Sequence, residues 1–553
     1  MRTTTRPARP TGIVVAGLAV CLATGLVLTG CAATSPASMD RAAGAAGGKG
    51  PRSDDGGPGP VTASPSPVES DSGGPSAPAA PREAALAAAR GAETGSEEWR
   101  ARRPAAGRIA GYSTTASGPA GTRVGLKVST SASRYRVIAY RLGAYDGGTG
   151  LEVWHSGLLE GREQAAPVMR PASTRTVVAP WRRDLTVDTD GWEPGFYVFK
   201  LRTGQGHEVL VPYVVSSPSA AGTVALVAPI TTWQAYNEWG GYSLYDGPDA
   251  DRRSWAVSFD RPYNGATGAN DYRTAAVPII VRAEQLGIPL SYYTNVDLHT
   301  TAGLLEGARG YVSMGHDEYW TTTMRSAVTE ARDAGTNLAF FGANTMYWRV
   351  RLADAATGAA RLVVGYRSDA GLDPEREERP REATARFRDA PMPNPEQELT
   401  GMMYECYPVD TDYVVASPGW WGFRGAGVTR GDRIPGLVGP EADRVYPTGS
   451  LPRPMQILSH SPYSCGGVST AAESVYYTAP SGAGVFNAGT LRWGCAMVDR
   501  CERPLGARTA RFVEVVTGNV LRGFAAGPAA RRHPARDNVQ EFDLSPHNAV
   551  SAS

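Results

Sequence analysis

The sequence has almost no charge excess and few long apolar runs. Its 55 basic and 54 acidic side chains give a formal net charge of +1. A nucleic-acid-binding surface needs a surplus of basic groups to neutralise phosphates, so no nucleic-acid partner is expected. Beyond the amino-terminal segment no run reaches about 18 apolar residues, which excludes a multi-pass membrane protein.

Several catalytic motifs are missing as well. Histidine occurs only seven times, and no two histidines form a His-x-His or His-x3-His pair. The His-Glu-x-x-His motif of zinc peptidases is absent. So is the Gly-x-Ser-x-Gly turn that carries the nucleophile of serine α/β-hydrolases. Both classes of enzyme are therefore disfavoured.

The amino terminus is typical of an exported lipoprotein. A basic start precedes an apolar stretch from Gly12 to Leu28, as in an export signal. The stretch runs into Leu28-Thr29-Gly30-Cys31, which resembles a bacterial lipobox. We therefore expect a signal peptide over residues 1–30, lipidation of Cys31, and membrane attachment to the outer face of the cell through the lipid anchor only. An ordinary secretory signal or a single membrane anchor is the alternative.

Two segments have the composition of disordered chain. Residues 31–99 are dominated by alanine, glycine, serine and proline, which cannot bury enough apolar area to offset the loss of chain entropy. We expect a flexible tether there, and a second disordered segment over 529–553.

Four cysteines lie outside the amino-terminal segment: Cys406, Cys465, Cys495 and Cys501. In an exported body they predict two disulfides, for which three pairings exist. The pairs Cys406–Cys465 and Cys495–Cys501 are favoured. A zinc site of four cysteines is the alternative, although no Cys-x2-Cys knuckle is present.

Hydropathy patterning divides the remaining chain in two. Residues 100–218 contain short alternating segments, for example 123–128 and 195–201, and this pattern predicts a β-sandwich. Residues 222–528 alternate apolar strands with helices, for example an apolar strand over 224–228 and a helix over 322–334, which predicts an α/β domain with a mainly parallel sheet. Ligands of such sheets bind at the carboxyl ends of the strands. The charged stretch 361–388 is predicted to be a solvated loop.

Polar side chains follow two of the predicted strands. His316 and Glu318 come directly after the apolar segment 310–314, where titratable groups cost free energy unless they are paired or bound to a metal. The alternative is an acidic helix start that interacts favourably with the helix dipole. An aromatic stretch, 233–246, follows the first strand of the same sheet; capping of the core is its alternative role.

These segments resemble the large (beta) subunit of N,N-dimethylformamidase, over about residues 222–525. The motifs that carry the resemblance are Trp233-Gln234-Ala235-Tyr236-Asn237, Gly241-Tyr242-Ser243-Leu244-Tyr245, Gly315-His316-Asp317-Glu318-Tyr319-Trp320, Phe341-Gly342-Ala343-Asn344-Thr345-Met346-Tyr347-Trp348-Arg349, Asn394-Pro395-Glu396-Gln397-Glu398-Leu399-Thr400-Gly401 and Val485-Phe486-Asn487-Ala488-Gly489-Thr490.

The resemblance implies a three-layer α/β body similar to the glutamine-amidotransferase-like fold, and one ferric ion as cofactor. It implies that Tyr236, Tyr245 and Glu318 bind this Fe(III), with Tyr242 as a competitor for the place of Tyr236. Two phenolates and a carboxylate would neutralise a trivalent ion, and hard oxygen donors suit a hard cation.

The resemblance also assigns catalytic roles. His316 would transfer a proton to the leaving amine, and Asn344 would hydrogen-bond the developing oxyanion. Glu441 would match a further acidic residue of the family site.

The leading hypothesis is a cell-surface, metal-dependent hydrolase of an amide-like C–N bond other than a peptide bond, with a small-molecule or cell-wall substrate. A non-catalytic lipoprotein that binds glycan or cell-wall material through aromatic loops is the alternative; Trp420 to Phe423, with Trp233 and Trp239, would supply the contacts. A scaffold subunit is a third hypothesis, because the amidase works with a separate small subunit. A homo-oligomer or a missing small subunit therefore stays open.

Overall fold

The computed structural model describes residues 93–545 except 106, 250–251 and 265–271. The predicted signal peptide, Cys31, most of the tether and the last eight positions lie outside these residues. All described residues fall in one compact unit, 75–553. None of the helices among them has the length and apolar character needed to cross a bilayer.

The amino-terminal part of the described chain consists of strands. They are β1 Ile109–Ser113, β2 Ser117–Gly118, β3 Arg123–Thr130, β4 Arg134–Tyr145, β5 Gly148–His155, β6 Leu159–Glu160, β7 Val168–Met169, β8 Val177–Val178, β9 Leu185–Asp188, β10 Gly195–Thr203 and β11 Glu208–Val215. One sheet has the order β1-β3-β9 and a second has the order β2-β11-β10-β4-β5, with β6 paired to β4. Strands β7 and β8 form a separate pair. Alternate apolar side chains from the first two sheets meet in a shared core.

The rest of the chain mixes strands and helices. Its first half contains β12 Val224–Ala228, α1 Ile230–Ala235, β13 Ala256–Ser258, α2 Val277–Gln285, β14 Leu290–Thr294, α3 Asn295–Thr300, β15 Gly310–Met314, β16 Tyr319–Trp320, α4 Thr322–Asp333, β17 Asn337–Phe341, β18 Trp348–Arg349, β19 Arg351–Ala355, β20 Gly358–Val364 and α5 Glu375–Glu378. Its second half contains α6 Gln397–Thr400, β21 Met403–Cys406, β22 Thr411–Val414, β23 Arg433–Val438, β24 Ala442–Arg444, β25 Met455–Cys465, β26 Val468–Thr478, β27 Gly484–Asn487, α7 Trp493–Met497 and α8 Ala507–Ala525. A π-helical turn, Tyr272–Ala276, leads into α2.

The main sheet has the strand order β14-β12-β15-β17-β27-β26-β25. Its first five strands are parallel, and β26 and β25 are antiparallel additions at one edge. Strand β12 is buried along its whole length. Successive side chains of a strand point to opposite faces, so both faces of the sheet are covered at this strand. Val224 and Leu226 pack in one core, and Ala225 and Val227 pack in another. The chain is therefore a mixed α/β protein with apolar packing on both faces of this sheet.

Both favoured disulfides are present. Cys406 pairs with Cys465 and Cys495 pairs with Cys501, with Cα–Cα distances of 6.2 and 4.9 Å. The pairing leaves no thiolate among these four cysteines for the alternative zinc site.

Two expectations for the termini need correction. Trp99, placed in the predicted tether, is fully buried, and the neighbouring Ser96 forms a β-bridge with Gly150. Residues 529–545 also pack onto the body: Asn538 donates to Ser417 and to the backbone of Ile457. Val539 and Leu544 of this segment are buried in one of the cores that flank the main sheet, a contact that average composition does not predict.

The tryptophans of the glycan-binding alternative are buried in the core or packed against it. Trp233 and Trp420 are 2% and 3% exposed, and the ring of Trp420 stacks on Phe486 at 5.4 Å. Trp421 stacks on His533 at 4.5 Å, and Trp239 packs edge-on against Trp181 at 5.6 Å. These rings are engaged in packing, so the aromatic loops do not form the predicted glycan surface.

Candidate active site

The loop after α1 carries the two predicted tyrosine ligands. It winds around the guanidinium of Arg261, which is 1% exposed and donates to the carbonyl oxygens of Asn237, Trp239 and Tyr242 at 2.7, 3.1 and 2.8 Å. Burial lowers the pKa of Arg261 to about 9. Because one buried cation ties together three carbonyl groups, the loop has a defined path between its tyrosines.

Tyr236 and Tyr245 lie side by side at this loop. Their rings stack with centroids 4.4 Å apart, and their hydroxyl oxygens are 2.8 Å apart. Tyr242 is the competitor for a ligand position. Its backbone oxygen accepts a hydrogen bond from Arg261, and it is not among the described residues that line the cavity at this site. The structure thus brings Tyr236, rather than Tyr242, next to Tyr245.

Glu318 reaches both tyrosines from the turn after β15. Its carboxylate accepts from the Tyr236 hydroxyl at 2.6 Å, and each carboxylate oxygen lies 2.9 Å from the Tyr245 hydroxyl. Its backbone N–H donates to Thr232 Oγ1 at 3.0 Å, which fixes the turn against α1. The three predicted metal ligands therefore meet at one point.

Glycine makes this turn possible. Gly315 has φ +82°, a conformation that side chains disfavour. A Cβ at Gly342, just after β17, would overlap the carbonyl oxygen of Gly315. The carboxyl ends of two neighbouring strands therefore approach each other backbone to backbone, directly beneath His316 and Glu318.

The predicted catalytic residues surround the three ligands. His316 Nε2 lies 3.4 Å from Glu318 Oε2 and 3.3 Å from Glu441 Oε2. Asn344 has φ +54°, and its backbone N–H donates to Asp443 Oδ1 at 2.7 Å. Its side-chain oxygen is buried and has no hydrogen-bond partner in the described part of the chain. An unpaired buried oxygen of this kind costs free energy unless a bound group uses it.

These side chains line a cavity of about 930 Å³. Its floor contains Tyr236, Tyr245 and Glu318, and its walls include Tyr347 and Tyr404. The disulfide Cys495–Cys501 and the charged Arg500 and Glu502 also line it. The volume lies near the upper end of the range for small-molecule sites, so the cavity is larger than a simple amide requires.

Three residues of the site were not predicted. Tyr319 donates its hydroxyl to Tyr245 Oη at 2.7 Å, and the guanidinium of Arg367 lies 3.6 Å from the centre of the Tyr245 ring. Asp443 holds the backbone of Asn344, as described above. Tyr319 and Asp443 each lie within two residues of a predicted site residue, so their position in the sequence could have identified them. Arg367 lies in the stretch predicted as a solvated loop, and nothing in the local sequence marks it.

The electrostatics follow from burial of many ionisable groups together. Burial and, after it, the Glu318 charge hold the pKa of Tyr236 and of Tyr245 well above the usual phenol range. Burial also raises the pKa of Glu318, and raises the pKa of Asp443 to about 7. With protein groups alone, the phenols are neutral donors to Glu318. A strongly charged cation at the same point would reverse this preference.

The donor set suits a hard trivalent cation better than a soft metal ion. Among the described residues no group of three or more histidine, cysteine, aspartate and glutamate side chains is arranged to hold a metal ion. The convergence here consists instead of two phenol oxygens and one carboxylate. Hard oxygen donors of this kind suit Fe³⁺ and disfavour soft metals, and the fit agrees with the ligand set that the resemblance implies.

The chain matches a known protein family. Residues 136–503 match the family described as N,N-dimethylformamidase beta subunit-like, C-terminal. The match begins within β4, upstream of the boundary near residue 222 that the motifs indicate. A search of curated proteins found no match. Since the matched segment covers well over half of the 553 residues, the chain belongs to the N,N-dimethylformamidase beta subunit-like, C-terminal family.

Proposed function

We propose that this protein is a metal-dependent hydrolase of an amide-like C–N bond. Family membership indicates an amidohydrolase-type function. The observation that supports the finer proposal is the convergence of Tyr236, Tyr245 and Glu318 on the floor of a large cavity. A ferric ion held by these three residues would act there as a Lewis acid on an amide carbonyl or on a bound water.

The surrounding residues have distinct tasks in this mechanism. His316, within 3.4 Å of Glu318 and Glu441, donates a proton to the leaving nitrogen, and Glu441 orients the imidazole for this transfer. The Asn344 side-chain amide donates a hydrogen bond to the oxygen that becomes negatively charged. Its strained backbone is fixed by Asp443, so the amide group is in place before the substrate binds.

The cavity walls position the substrate and limit the access of water. Tyr347 packs edge-on against Trp348 and Tyr404, at 4.9 and 5.2 Å, and all three rings face the cavity. Aromatic walls would enclose an amide while its carbonyl reaches the floor, and the exclusion of water strengthens the polar contacts there.

A matched pair of tyrosine variants tests the proposal. Purified wild-type protein should contain about one iron atom per chain by elemental analysis and show a visible ferric tyrosinate absorption band. Tyr245→Phe and Glu318→Gln should lose both iron and amide hydrolysis, because each removes a direct ligand. Tyr242→Phe is the control and should retain both. Colourless, iron-free wild-type protein, or full hydrolysis by Glu318→Gln, would reject the proposal.

We propose further that the protein is exported and lipid-anchored through Cys31. The support is the amino-terminal sequence alone, since this segment lies outside the described residues. Metabolic labelling with a radioactive fatty acid should mark the wild type and not Cys31→Ser. Equal labelling of the two proteins would reject the anchor. The same export argument favours a substrate met outside the cell.

We also propose a finer architecture, a β-sandwich followed by a glutamine-amidotransferase-like α/β body. The shared core of the two amino-terminal sheets supports a β-sandwich, and apolar packing on both faces of the main sheet supports the glutamine-amidotransferase-like layering. Family membership is consistent with a multi-subunit assembly acting on a small molecule, so we infer a homo-oligomer or a separate small subunit. Sedimentation of the purified chain alone, at several concentrations, tests the first possibility.

A further inference from the structure

A second cavity adjoins the candidate active site. Its volume is about 640 Å³, and it shares Tyr347, Trp348 and Arg367 with the larger cavity. We call this second cavity the annex. A molecule bound with its amide at the floor of the active site would reach the annex by passing these three shared side chains.

The annex carries an excess of positive charge. Three arginines line it, Arg367, Arg376 and Arg386, together with a single carboxylate, Asp389. Asp389 is paired with Arg386, from Asp389 Oδ2 to Arg386 Nε at 2.6 Å. One carboxylate therefore neutralises one of three guanidinium groups.

The other two arginines have few protein acceptors. Arg376 makes one long hydrogen bond, at 3.4 Å to the carbonyl oxygen of Ala390, and no carboxylate among the described residues forms an ion pair with it. Arg367 donates one N–H to the carbonyl oxygen of Leu244, while its buried Nε has no acceptor in the described part of the chain. Guanidinium groups with unused donors in a concave site suit an oxyanion, which can accept two parallel hydrogen bonds.

We propose that the annex binds an anionic group of the substrate, so that the substrate is an amide with a carboxylate or phosphate-like group remote from the scissile bond. This inference rests on the proposed function, because that function places the amide in the neighbouring cavity. It explains why the combined cavity exceeds the needs of a small neutral amide. It also gives the charged stretch 361–388 a role in substrate recognition.

A matched set of amides tests the proposal. N-benzoyl-6-aminohexanoate carries a carboxylate, N-benzoyl-5-aminopentylphosphonate carries a phosphonate, and the methyl ester of N-benzoyl-6-aminohexanoate carries no charge; in each compound a chain of methylene groups separates the charged or esterified end from the amide. Binding of each to the full chain is measured by calorimetry at fixed ionic strength. At least one anion should bind about tenfold or more tightly than the ester, in line with the strength of charged hydrogen bonds. Whichever anion binds more tightly identifies the group. Equal binding of all three compounds would overturn the proposal.

Variants locate the preference. Arg376→Gln together with Arg367→Gln should abolish it, whereas Arg379→Gln, an exposed arginine of the same segment that does not line the annex, should preserve it. The preference should persist in Glu318→Gln, which removes a predicted metal ligand. If it disappears in Glu318→Gln and survives in the double arginine variant, the anion binds at the metal centre and the annex proposal is wrong.

The outcome is separable from that of the proposed function. An arginine-dependent preference in a protein without iron or hydrolysis would support the annex and reject the amidase proposal. Hydrolysis of the neutral ester's amide bond with no anion preference would do the reverse.

Discussion

A buried ion pair joins the amino-terminal strands to the α/β body, and its removal is a sharp test of how the two parts depend on each other. Arg141 of β4 contacts Glu284 of α2, from Nη2 to Oε1 at 2.7 Å, with side chains 3% and 5% exposed. Glu284 also accepts from the Tyr292 hydroxyl at 2.7 Å and from the Ala144 N–H at 2.9 Å. These two hydrogen-bond donors would remain after loss of Arg141, but the opposite charge would not.

The change Arg141→Met leaves Glu284 buried with its charge uncompensated. Loss of one partner of a buried pair costs about 3–5 kcal/mol. Burial alone would raise the pKa of Glu284, yet Arg141 and the hydrogen bonds reverse this effect and hold the pKa below its usual value. In the variant the pKa should rise, so the loss of stability should be largest at neutral pH. It should shrink in acid, where the variant can protonate Glu284.

Urea unfolding followed by tryptophan fluorescence measures this loss. The control is Arg433→Met, which breaks an exposed pair with Asp412, with side chains 59% and 34% exposed; its stability should stay close to that of the wild type, because solvent screens such pairs. If Arg141→Met loses no more stability than Arg433→Met, the buried pair does not couple the two parts and the reasoning is refuted.

Three further changes have expected outcomes of their own. Burial raises the pKa of Asp443 to about 7, so the folded chain keeps a proton that the unfolded chain releases near pH 4. The free energy of unfolding should therefore fall by up to about 4 kcal/mol as the pH rises from about 4 to about 7. Urea titrations should give a flatter profile for Asp443→Asn, and an identical profile would contradict the shift. Serine at both Cys406 and Cys465 opens a cross-link over 59 residues and should cost about 4 kcal/mol in the same titrations; a negligible loss would count against this estimate. Tyr319→Phe removes the donor to Tyr245 Oη and should shift the ferric tyrosinate band while the fold is retained; an unchanged spectrum would exclude that contact.

Sequence patterning predicts much of the α/β core. The apolar run Val224–Ala228 forms β12 with the predicted limits, and the helix predicted over 322–334 is observed at Thr322–Asp333. A strand that is buried on both faces has a continuous apolar run in its sequence. The helix is capped by Thr321, whose hydroxyl accepts from the Met324 N–H at 3.1 Å. Such signals are local, so they can be recognised without tertiary information.

Contacts between distant segments are what the sequence does not reveal. Arg367 reaches Tyr245 across more than a hundred residues, and its charged surroundings favour a prediction of solvent exposure. The segment 529–545 is rich in polar residues, yet a few hydrogen bonds such as that from Asn538 to Ser417 fix it. The meeting of Tyr236 with Glu318 was expected because both follow strands of one sheet, and the resemblance supplied the choice of residues.

The contact between Gly315 and Gly342 has a consequence for how this protein can diversify. Because main chain touches main chain under the catalytic turn, any larger residue at Gly342 must displace the turn itself. Relatives with new substrate preferences should therefore keep small residues at these two positions and vary in the surface loops that surround the opening, where Tyr407 is 62% exposed. Libraries for directed evolution are best confined to those loops.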